Sequence, residues 1–428
     1  MVILSTLILL ILSSPVLEPT FNEAVLNDES KYYEVIDIPT PEGVLLEVGG
    51  LVAGPGEGVV YVSTRRGDIW KIENTYSETP KYTLFSDGLQ EPLGLQWHND
   101  WLYTVQRGEL SRLRDEDGDG RADVLQTVCD DWSLSGNYHE YAFGSKFDKE
   151  GNLYVALGLS ASYHSRALFR GWGFKITPEG KSIPIASGMR SPGGIGFNKE
   201  GAVFYIESQG PWNSSCSLKF VKEGGFMGHP ASYNWYQYAP GLKEPVNPES
   251  GSSILVEKEK VPELVPYAVI FPYIRMGRSI TGFVLDKTKG KFGPFEDQIF
   301  LGDYTQSLIM RATTEQVNGV WQGACYPFRE ELSTGILNIQ FTPEGRLLAG
   351  GTNRGWPVRG LKPFALERLE WSGKMPFEMP ADSADEQVCF GIDIPGGAKK
   401  RHITAIRAAI DNSSIVHHVL LLQAPESV

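Results

Sequence analysis

The segment from residue 144 to residue 158, GSKFDKEGNLYVALG, decides the fold. Its two halves carry alternating apolar side chains around a polar turn, which is typical of a β-hairpin. Residues Asp148 to Gly151 supply a turn that tolerates a positive φ. The same pattern begins again at residues 50, 93, 194, 282 and 338.

The six copies are spaced about 40 to 50 residues apart, with one longer gap at about 210 to 275. A third strand often follows the hairpin, as in GDIWKIE from residue 67. One four-stranded sheet cannot bury both faces, whereas sheets arranged in a ring pack against each other. The sequence therefore predicts an all-β protein with a six-bladed β-propeller over residues 30–372. Two packed β-sandwich domains are the alternative.

The composition narrows the classes of partner. The chain has 428 residues, a formal charge of −13 and a pI of about 5.1. A nucleic-acid or anionic-membrane partner would require a basic face, so we expect neither. A small molecule such as a sugar is compatible with this charge.

The N-terminus predicts export. Residues 1–15, MVILSTLILLILSSP, form an apolar run that ends in small residues, as in a secretory signal peptide. We predict a cleaved signal peptide over residues 1–20, a secreted or periplasmic protein, and no membrane span in the mature chain. A membrane anchor is the alternative, although the run is shorter than the roughly 20 residues needed. Four cysteines can form disulfides after export or stay as buried thiols: Cys129, Cys216, Cys325 and Cys389.

An acidic loop predicts a calcium site. Residues 115–123, DEDGDGRAD, place carboxylates at the first, third and fifth positions and glycine at the sixth, as in EF-hand loops. The predicted ligands are Asp115, Asp117, Asp119, the carbonyl of Arg121, and Asp123. The twelfth position is Gln126, so the usual bidentate glutamate is absent, and a plain acidic hairpin tip is the alternative.

Three turns carry a family resemblance. They are GMRSP at 188–192, ESQGP at 207–211 and GGFMGHP at 224–230. In these turns the chain resembles the soluble quinoprotein glucose and sorbosone dehydrogenases. The resemblance implies a propeller that holds pyrroloquinoline quinone (PQQ) on its upper face.

The resemblance also implies roles for single residues. Arg190 would bind the quinone, and Gln209 would contact it. The carbonyls of Gly210 and Pro211 would bind a calcium ion beside the quinone, since hard oxygen ligands suit Ca²⁺.

His139 lies about where the family keeps its general base. A neutral imidazole can take a proton from a sugar hydroxyl near pH 7. Glu140 could face the site instead, and a histidine bonded into a loop is the plain alternative.

The chain also departs from the family pattern. Ser191 stands where the family has asparagine, and the fifth blade has Asp303-Tyr304-Thr305 where a lysine is expected. The paired arginines of the last blades are at best Arg329 and Arg354.

A second domain is predicted from residue 373 to residue 428, where the spacing of the strand-like segments changes after a linker. SIVHHVLL at 414–421 resembles the start of the copper type II, ascorbate-dependent monooxygenases. In this resemblance His417 and His418 would bind copper, and Cys389 would match a family cysteine. Adjacent histidines on a strand face opposite sides, which is the plain alternative. We predict an incomplete β-sandwich-like domain.

Together these features predict an exported PQQ-type dehydrogenase that oxidises a carbohydrate or aldehyde and passes electrons to an external acceptor. One alternative is a non-catalytic propeller that binds a carbohydrate or a protein. In another, the copper domain carries the chemistry of the intact protein and the propeller binds its substrate.

Overall fold

The computed structural model describes residues 28–160 and 164–373. Most of the regular secondary structure in this part of the chain consists of twenty-five strands. Those of the first half are β1 Tyr33–Asp37, β2 Val48–Ala53, β3 Val60–Thr64, β4 Ile69–Glu73, β5 Lys81–Ser86, β6 Leu95–His98, β7 Trp101–Val105, β8 Leu110–Arg114, β9 Val124–Cys129, β10 Ala142–Phe147, β11 Leu153–Leu157, β12 Trp172–Ile176 and β13 Ser182–Ser187. Those of the second half are β14 Pro192–Phe197, β15 Val203–Glu207, β16 Ser217–Phe220, β17 Gly225–Phe226, β18 Tyr267–Ile270, β19 Ile280–Leu285, β20 Ile299–Asp303, β21 Leu308–Val317, β22 Val320–Arg329, β23 Ile336–Phe341, β24 Leu347–Thr352 and β25 Phe364–Trp371.

The strands form six sheets, which are the six blades of a propeller, and every pairing is antiparallel except that of β17 with β13. Blades 1 to 5 begin with β2, β6, β10, β14 and β19, and blade 6 begins with β23. These first strands contact one another in a closed cycle, so they line the axis of the ring. Each of the six sequence copies forms the first two strands of one blade. The predicted all-β, six-bladed propeller is confirmed.

The N-terminal strand closes the ring. β1 pairs with β25 along its whole length, from Tyr33 opposite Trp371 to Asp37 opposite Glu367. Blade 6 is therefore built from both ends of the propeller. Its fourth strand comes from residues about 300 positions away from its other three.

The blades pack through apolar side chains that alternate along their strands. One cluster between blades 5 and 6 is dominated by aromatic rings around Tyr33, which is 2% exposed. The Tyr33 hydroxyl donates to the carbonyl of Phe292 at 2.7 Å, and its ring lies 4.8 Å from that of Phe328. The closing strand is thus held by packing as well as by its backbone hydrogen bonds.

The long gap between the fourth and fifth copies is an excursion from blade 4. Residues 221–266 leave β16 and return at β18. They include β17, which pairs in parallel with β13 of blade 3. A 3₁₀ helix follows at Pro230–Tyr238, and the helix α1 spans Ile254–Lys260. A second 3₁₀ helix, Asp28–Lys31, precedes β1.

Several sequence predictions fall on other parts of the chain. The signal peptide over 1–20, Cys389 and the copper ligands His417 and His418 lie outside the described residues. Cys129, Cys216 and Cys325 are free thiols. Within the two described ranges, no helix is both long and apolar enough to cross a membrane.

We expect Tyr33→Ala to cost about 3–5 kcal/mol, because it leaves a cavity in the aromatic cluster and weakens the closing strand. Tyr33→Phe should cost only about 1 kcal/mol, the value of one buried hydrogen bond. Thermal and denaturant unfolding would measure both. Tyr238→Ala, at an exposed tyrosine, is the control and should change stability by less than about 0.5 kcal/mol. Equal effects of the two alanine variants would refute this role for Tyr33.

Candidate active site

One face of the ring collects the loops that carry the predicted site. In each blade, the turn after the second strand and the loop before the first strand lie at the same end. The two are joined by one backbone hydrogen bond per blade. The six donor and acceptor pairs are Arg65 to Glu47, Arg107 to Gln90, Gly158 to Tyr141, Ser208 to Ser191, Tyr304 to Ser279 and Thr352 to Gly335. We call this end the upper face.

Arg190 and its predicted partners meet on the upper face between blades 3 and 4. The guanidinium of Arg190 donates to the carbonyl of Ser208 at 2.9 Å and to that of Gln209 at 2.7 Å. It also lies against Gly210, where a Cβ atom would come within 2.4 Å of its central carbon. A larger residue at position 210 would displace this guanidinium from its present position. The structure therefore brings together three residues that the sequence predicted as cofactor contacts.

Gly210 and Pro211 lie in a tight turn. Gly210 and Asn213 exchange backbone hydrogen bonds of 2.9 and 3.0 Å. Trp212 has a φ of 63°, and Pro211 precedes it at the tip. The carbonyl of Gly210 already accepts the N–H of Asn213, so a calcium ion would have to use its second lone pair. Calcium binding at this turn stays a prediction.

A buried polar cluster fixes the turn that carries Arg190. Glu207 is 1% exposed, and its Oε1 accepts the backbone N–H groups of Arg190 and Ser191 at 2.6 and 3.0 Å. Its Oε2 accepts the Tyr205 hydroxyl at 2.5 Å and lies 3.7 Å from the Lys219 ammonium. Burial lowers the pKa of Lys219, and the charge of Glu207 opposes that shift. No sequence signal pointed to this cluster, since Lys219 reads as an ordinary strand residue.

His139 has the arrangement of a general base. The carbonyl oxygen Oδ1 of Asn137 lies 3.2 Å from Nδ1 of His139 and also accepts its backbone N–H at 3.0 Å. Because that oxygen can only accept, Nδ1 carries the proton and Nε2 has the free lone pair. Burial first, and then the charge of Arg190, lowers the pKa of His139. The imidazole is therefore neutral at pH 7. The backbone carbonyls of His139 and Arg190 both lie beside Gly158, 3.2 and 3.7 Å from where its Cβ atom would stand.

Glu140, the alternative to His139, points away from this role. Its Oε1 accepts the hydroxyls of Ser135 at 2.5 Å and Ser160 at 2.7 Å, and its Oε2 accepts the Ser135 N–H at 2.6 Å. Burial alone would raise the pKa of Glu140, but these hydrogen bonds outweigh it and the pKa is lowered. The carboxylate is fully buried and holds the loop, so His139 is the better candidate.

Arg170 anchors the loop that carries His139 and was missed from the sequence. It is fully buried. Its guanidinium donates to the carbonyls of Ser133 at 2.9 Å, Glu140 at 2.9 Å and Tyr141 at 3.2 Å, and also to that of Arg107. Burial lowers the pKa of Arg170 to about 10. An arginine without a motif gives no sequence signal for such a role.

The fifth blade replaces the expected lysine with a structural carboxylate. Asp303 is fully buried and accepts the backbone N–H groups of Arg278, Ser279 and Gln306 at 2.6 to 2.8 Å. Burial raises the pKa of Asp303, and these hydrogen bonds oppose the shift. It closes a turn as Glu207 does in blade 4 and offers no positive charge to a ligand.

The two predicted arginines of the last blades lie in different places. Arg354 reaches the upper face, where it is 3.3 Å from Glu47. Arg329 ends the outermost strand of blade 5, and its guanidinium donates to the adjacent carbonyl of Glu330. Both therefore lie at the upper end of their blades, Arg354 in the turn after β24 and Arg329 opposite Ile309 at the outer edge of blade 5.

The residues of the upper face fit an anionic ligand such as PQQ. Nε of Arg190 and Nε of Arg107 are buried and have no hydrogen-bond partner among the described residues. A buried donor without a partner is costly, and a bound carboxylate would satisfy it. Arg190 and Gln209 would hold the quinone, with His139 beside it.

The acidic loop joins β8 to β9 at the lower face, opposite to Arg190. Carboxylate oxygens of Asp115, Asp117 and Asp123 lie within 4.8 Å of one another, the spacing that one cation needs. The N–H groups of Gly118 and Gly120 donate to Asp115 at 2.7 and 2.9 Å and shape the loop.

Two other predicted members of the loop stand apart. Asp119 lies outside the group of three and accepts the N–H of Arg121 at 2.8 Å. Gln126 pairs with Arg112 at 2.9 Å instead of facing the loop. The calcium site stays a prediction.

Comparisons with known proteins agree with this architecture. Residues 74–252 match a family model described as a domain of unknown function (DUF7133). No curated protein matched the sequence. The match covers less than half of the chain and assigns no activity.

Solved structures show the same fold. An oxidoreductase of Thermus thermophilus, described as a glucose dehydrogenase, has 19% identity and a TM-score of 0.56, covering 79% of this chain and 99% of its own. The PQQ-bound aldose sugar dehydrogenase of Streptomyces coelicolor has 16% identity and a TM-score of 0.52, covering 79% and 98%. The PQQ domain of a pyranose dehydrogenase from Coprinopsis cinerea has 9% and 0.54, covering 79% and 95%. At these identities the likeness shows the fold alone, a six-bladed propeller like those of sugar dehydrogenases.

We expect Ca²⁺ at 10 mM to stabilise the chain by about 1.5–3 kcal/mol, given a Kd of about 0.1–1 mM for a site of this kind. Thermal unfolding in CaCl₂, MgCl₂ and a chelator would measure the shift. Asp117→Asn should abolish it, whereas Asp130→Asn, at an exposed aspartate of the other face, should preserve it. Equal shifts with Ca²⁺ and Mg²⁺ would count against a calcium loop.

Proposed function

We propose that this propeller is a PQQ-dependent dehydrogenase that oxidises a sugar or a related aldehyde and passes electrons to an external acceptor. The observation that carries the proposal is that a neutral imidazole, His139, and a cation, Arg190, belong to neighbouring loops of the upper face, where both backbone carbonyls lie beside Gly158. A neutral base there has its Nδ1 proton fixed by Asn137 and lies within the electrostatic reach of a cation. The likeness to sugar dehydrogenase propellers supports the reaction class.

PQQ, when bound, would accept the two electrons and the hydrogen of a substrate C–H bond. The chain's own residues transfer the proton, neutralise charge and hold the site in place. Nε2 of His139 takes the proton of the substrate hydroxyl. Arg190 neutralises negative charge on the bound anion, and Glu207 fixes the turn from which Arg190 projects. Arg170 holds the loop of His139 in place.

A second function, binding without catalysis, is favoured by the pairing of the arginines. Arg190 already donates to two backbone carbonyls, and Arg354 and Arg65 face Glu47 and Glu91. Cations that are already paired attract a tri-acid less strongly. In this alternative the face binds a carbohydrate and the chain performs no redox step.

Reconstitution with PQQ and Ca²⁺ tests the first function against the second. We expect saturable quinone binding at micromolar concentration, followed by dye reduction with aldoses. Arg190→Gln should weaken quinone binding by about tenfold or more, since it removes a charged donor. Lys149→Gln, which removes the same charge at an exposed site on the lower face, is the control. Sugar binding without any quinone binding would favour the binding function.

His139 should titrate below its ordinary pKa of about 6.5, and NMR of the free protein can measure this. Arg190→Gln should raise that pKa, because it removes a nearby positive charge. Since the neutral imidazole is the active form, the acidic limb of kcat/KM should shift to higher pH in the same variant. His139→Gln should lower kcat by about 10²–10⁴ while quinone binding persists. Unchanged turnover in His139→Gln would exclude it as the base.

A further inference from the structure

A cavity of about 450 Å³ opens on the upper face where blades 6, 1 and 2 meet. It is lined by three arginines and two glutamates: Arg65, Arg66, Arg354, Glu47 and Glu91. The roles proposed above, proton transfer by His139 and charge neutralisation by Arg190, belong to residues outside this cavity. The cavity is polar and open, which suits a hydrated small molecule better than an apolar one.

The glutamates of the cavity are already shared among arginines. Glu91 lies 3.2 Å from Arg65 and 3.6 Å from Arg107, and Glu47 lies 3.3 Å from Arg354. Four guanidinium groups therefore face two carboxylates, so this corner has an excess of positive charge.

Arg66 carries the free part of that excess. Its exposed guanidinium lines the cavity and has no ion-pair or hydrogen-bond partner in the part of the chain that the structure describes. A planar donor of this kind binds a carboxylate through two parallel hydrogen bonds. The neighbouring Arg65 extends the same donor surface.

The cavity is linked directly to the loop of the base. Glu91 lines the cavity and pairs with Arg107. Arg107 donates to the carbonyl of Asn137, and the side chain of Asn137 holds His139. Tyr141 belongs to the same loop, since its backbone N–H donates to the carbonyl of His139 at 2.8 Å. The cavity and the loop of His139 are thus joined through Glu91, Arg107 and Asn137.

The rest of the molecule has the opposite sign. The chain carries a formal charge of −13, and the loop at the lower face is acidic. The excess of arginines at this corner therefore gives an anion a favourable site on a chain whose net charge would otherwise repel it. Neutral sugars would gain nothing from such an arrangement.

We propose that this cavity is a subsite for the carboxylate of an acidic sugar, so that the substrates are hexuronates or similar sugar acids. The proposal deepens the dehydrogenase function and rests on it for turnover, but binding can be tested without turnover. The chemistry shared with PQQ is a carboxylate on a small polar molecule. The experiment must therefore show whether the carboxylate that binds in the cavity belongs to the substrate or to PQQ.

Isothermal titration calorimetry with D-glucuronate and D-glucose provides that test. The two sugars differ only in the carboxylate at C6. We expect glucuronate to bind about tenfold or more tightly than glucose, with an affinity that falls as salt is raised. Arg66→Gln should remove most of this preference and leave glucose binding unchanged. Lys149→Gln makes the same charge change at an exposed site on the lower face and should have no effect.

Each outcome decides the proposal. Equal binding of the two sugars, no binding of glucuronate at millimolar concentration, or a preference that survives Arg66→Gln would overturn it. Repeating the titration with one equivalent of PQQ separates the sources, because loss of glucuronate binding would assign the arginines to the cofactor and also overturn it. Glucuronate binding through Arg66 in a protein that never reduces dye would leave the subsite intact and refute only the dehydrogenase function.

Discussion

The close approach of the inner strands around the axis is the constraint on which the rest of the structure depends. A Cβ atom at Gly94 would lie 2.5 Å from the carbonyl oxygen of Gly144, and one at Gly193 would lie 1.9 Å from that of Ile280. Glycine is needed at these positions because neighbouring blades meet backbone to backbone. In five blades the register of the inner hairpin also shifts near this point. Bulges of this kind increase local twist, which lets flat hairpins radiate from a narrow axis.

This constraint also decides where a site can form. Because all six inner strands run in one direction, their preceding loops converge on one face, where each is tied by the same hydrogen bond to the turn of its own blade. The scaffold is repetitive, and the side chains that finish each turn are not. Glu207 in blade 4 and Asp303 in blade 5 both cap backbone N–H groups. In blade 4 the capped residue is Arg190, whose guanidinium lies in the candidate site. The carboxylate that only closes a turn in blade 5 therefore also positions a site residue in blade 4.

The sequence predicts the parts of this fold that are local. Each inner hairpin is contained in about 15 residues, so alternation and turn residues were enough to find all six and to place the blades in order. The pairing of β1 with β25 could not be found in this way, because Tyr33 and Trp371 share no local pattern. The site shows the same division. Arg190, Gln209 and Gly210 lie in recognisable turns, whereas Lys219 and Arg170 act through burial and backbone carbonyls that only the folded chain brings to them.

What the upper face binds is therefore decided by its charges more than by its fold. The same ring can hold a quinone, a sugar or neither, depending on which cations are free. Here the lysine expected in blade 5 is a buried aspartate, and the arginines of blades 6 and 1 are partly neutralised by Glu47 and Glu91. Among the described arginines of this face, unpartnered donors include Nε of Arg190 and Nε of Arg107, which are buried, and the exposed guanidinium of Arg66. Arg190 belongs to the side of His139 and Arg66 to the opposite corner, with Arg107 between them. A ligand that contacts both ends must be polar and must carry negative charge.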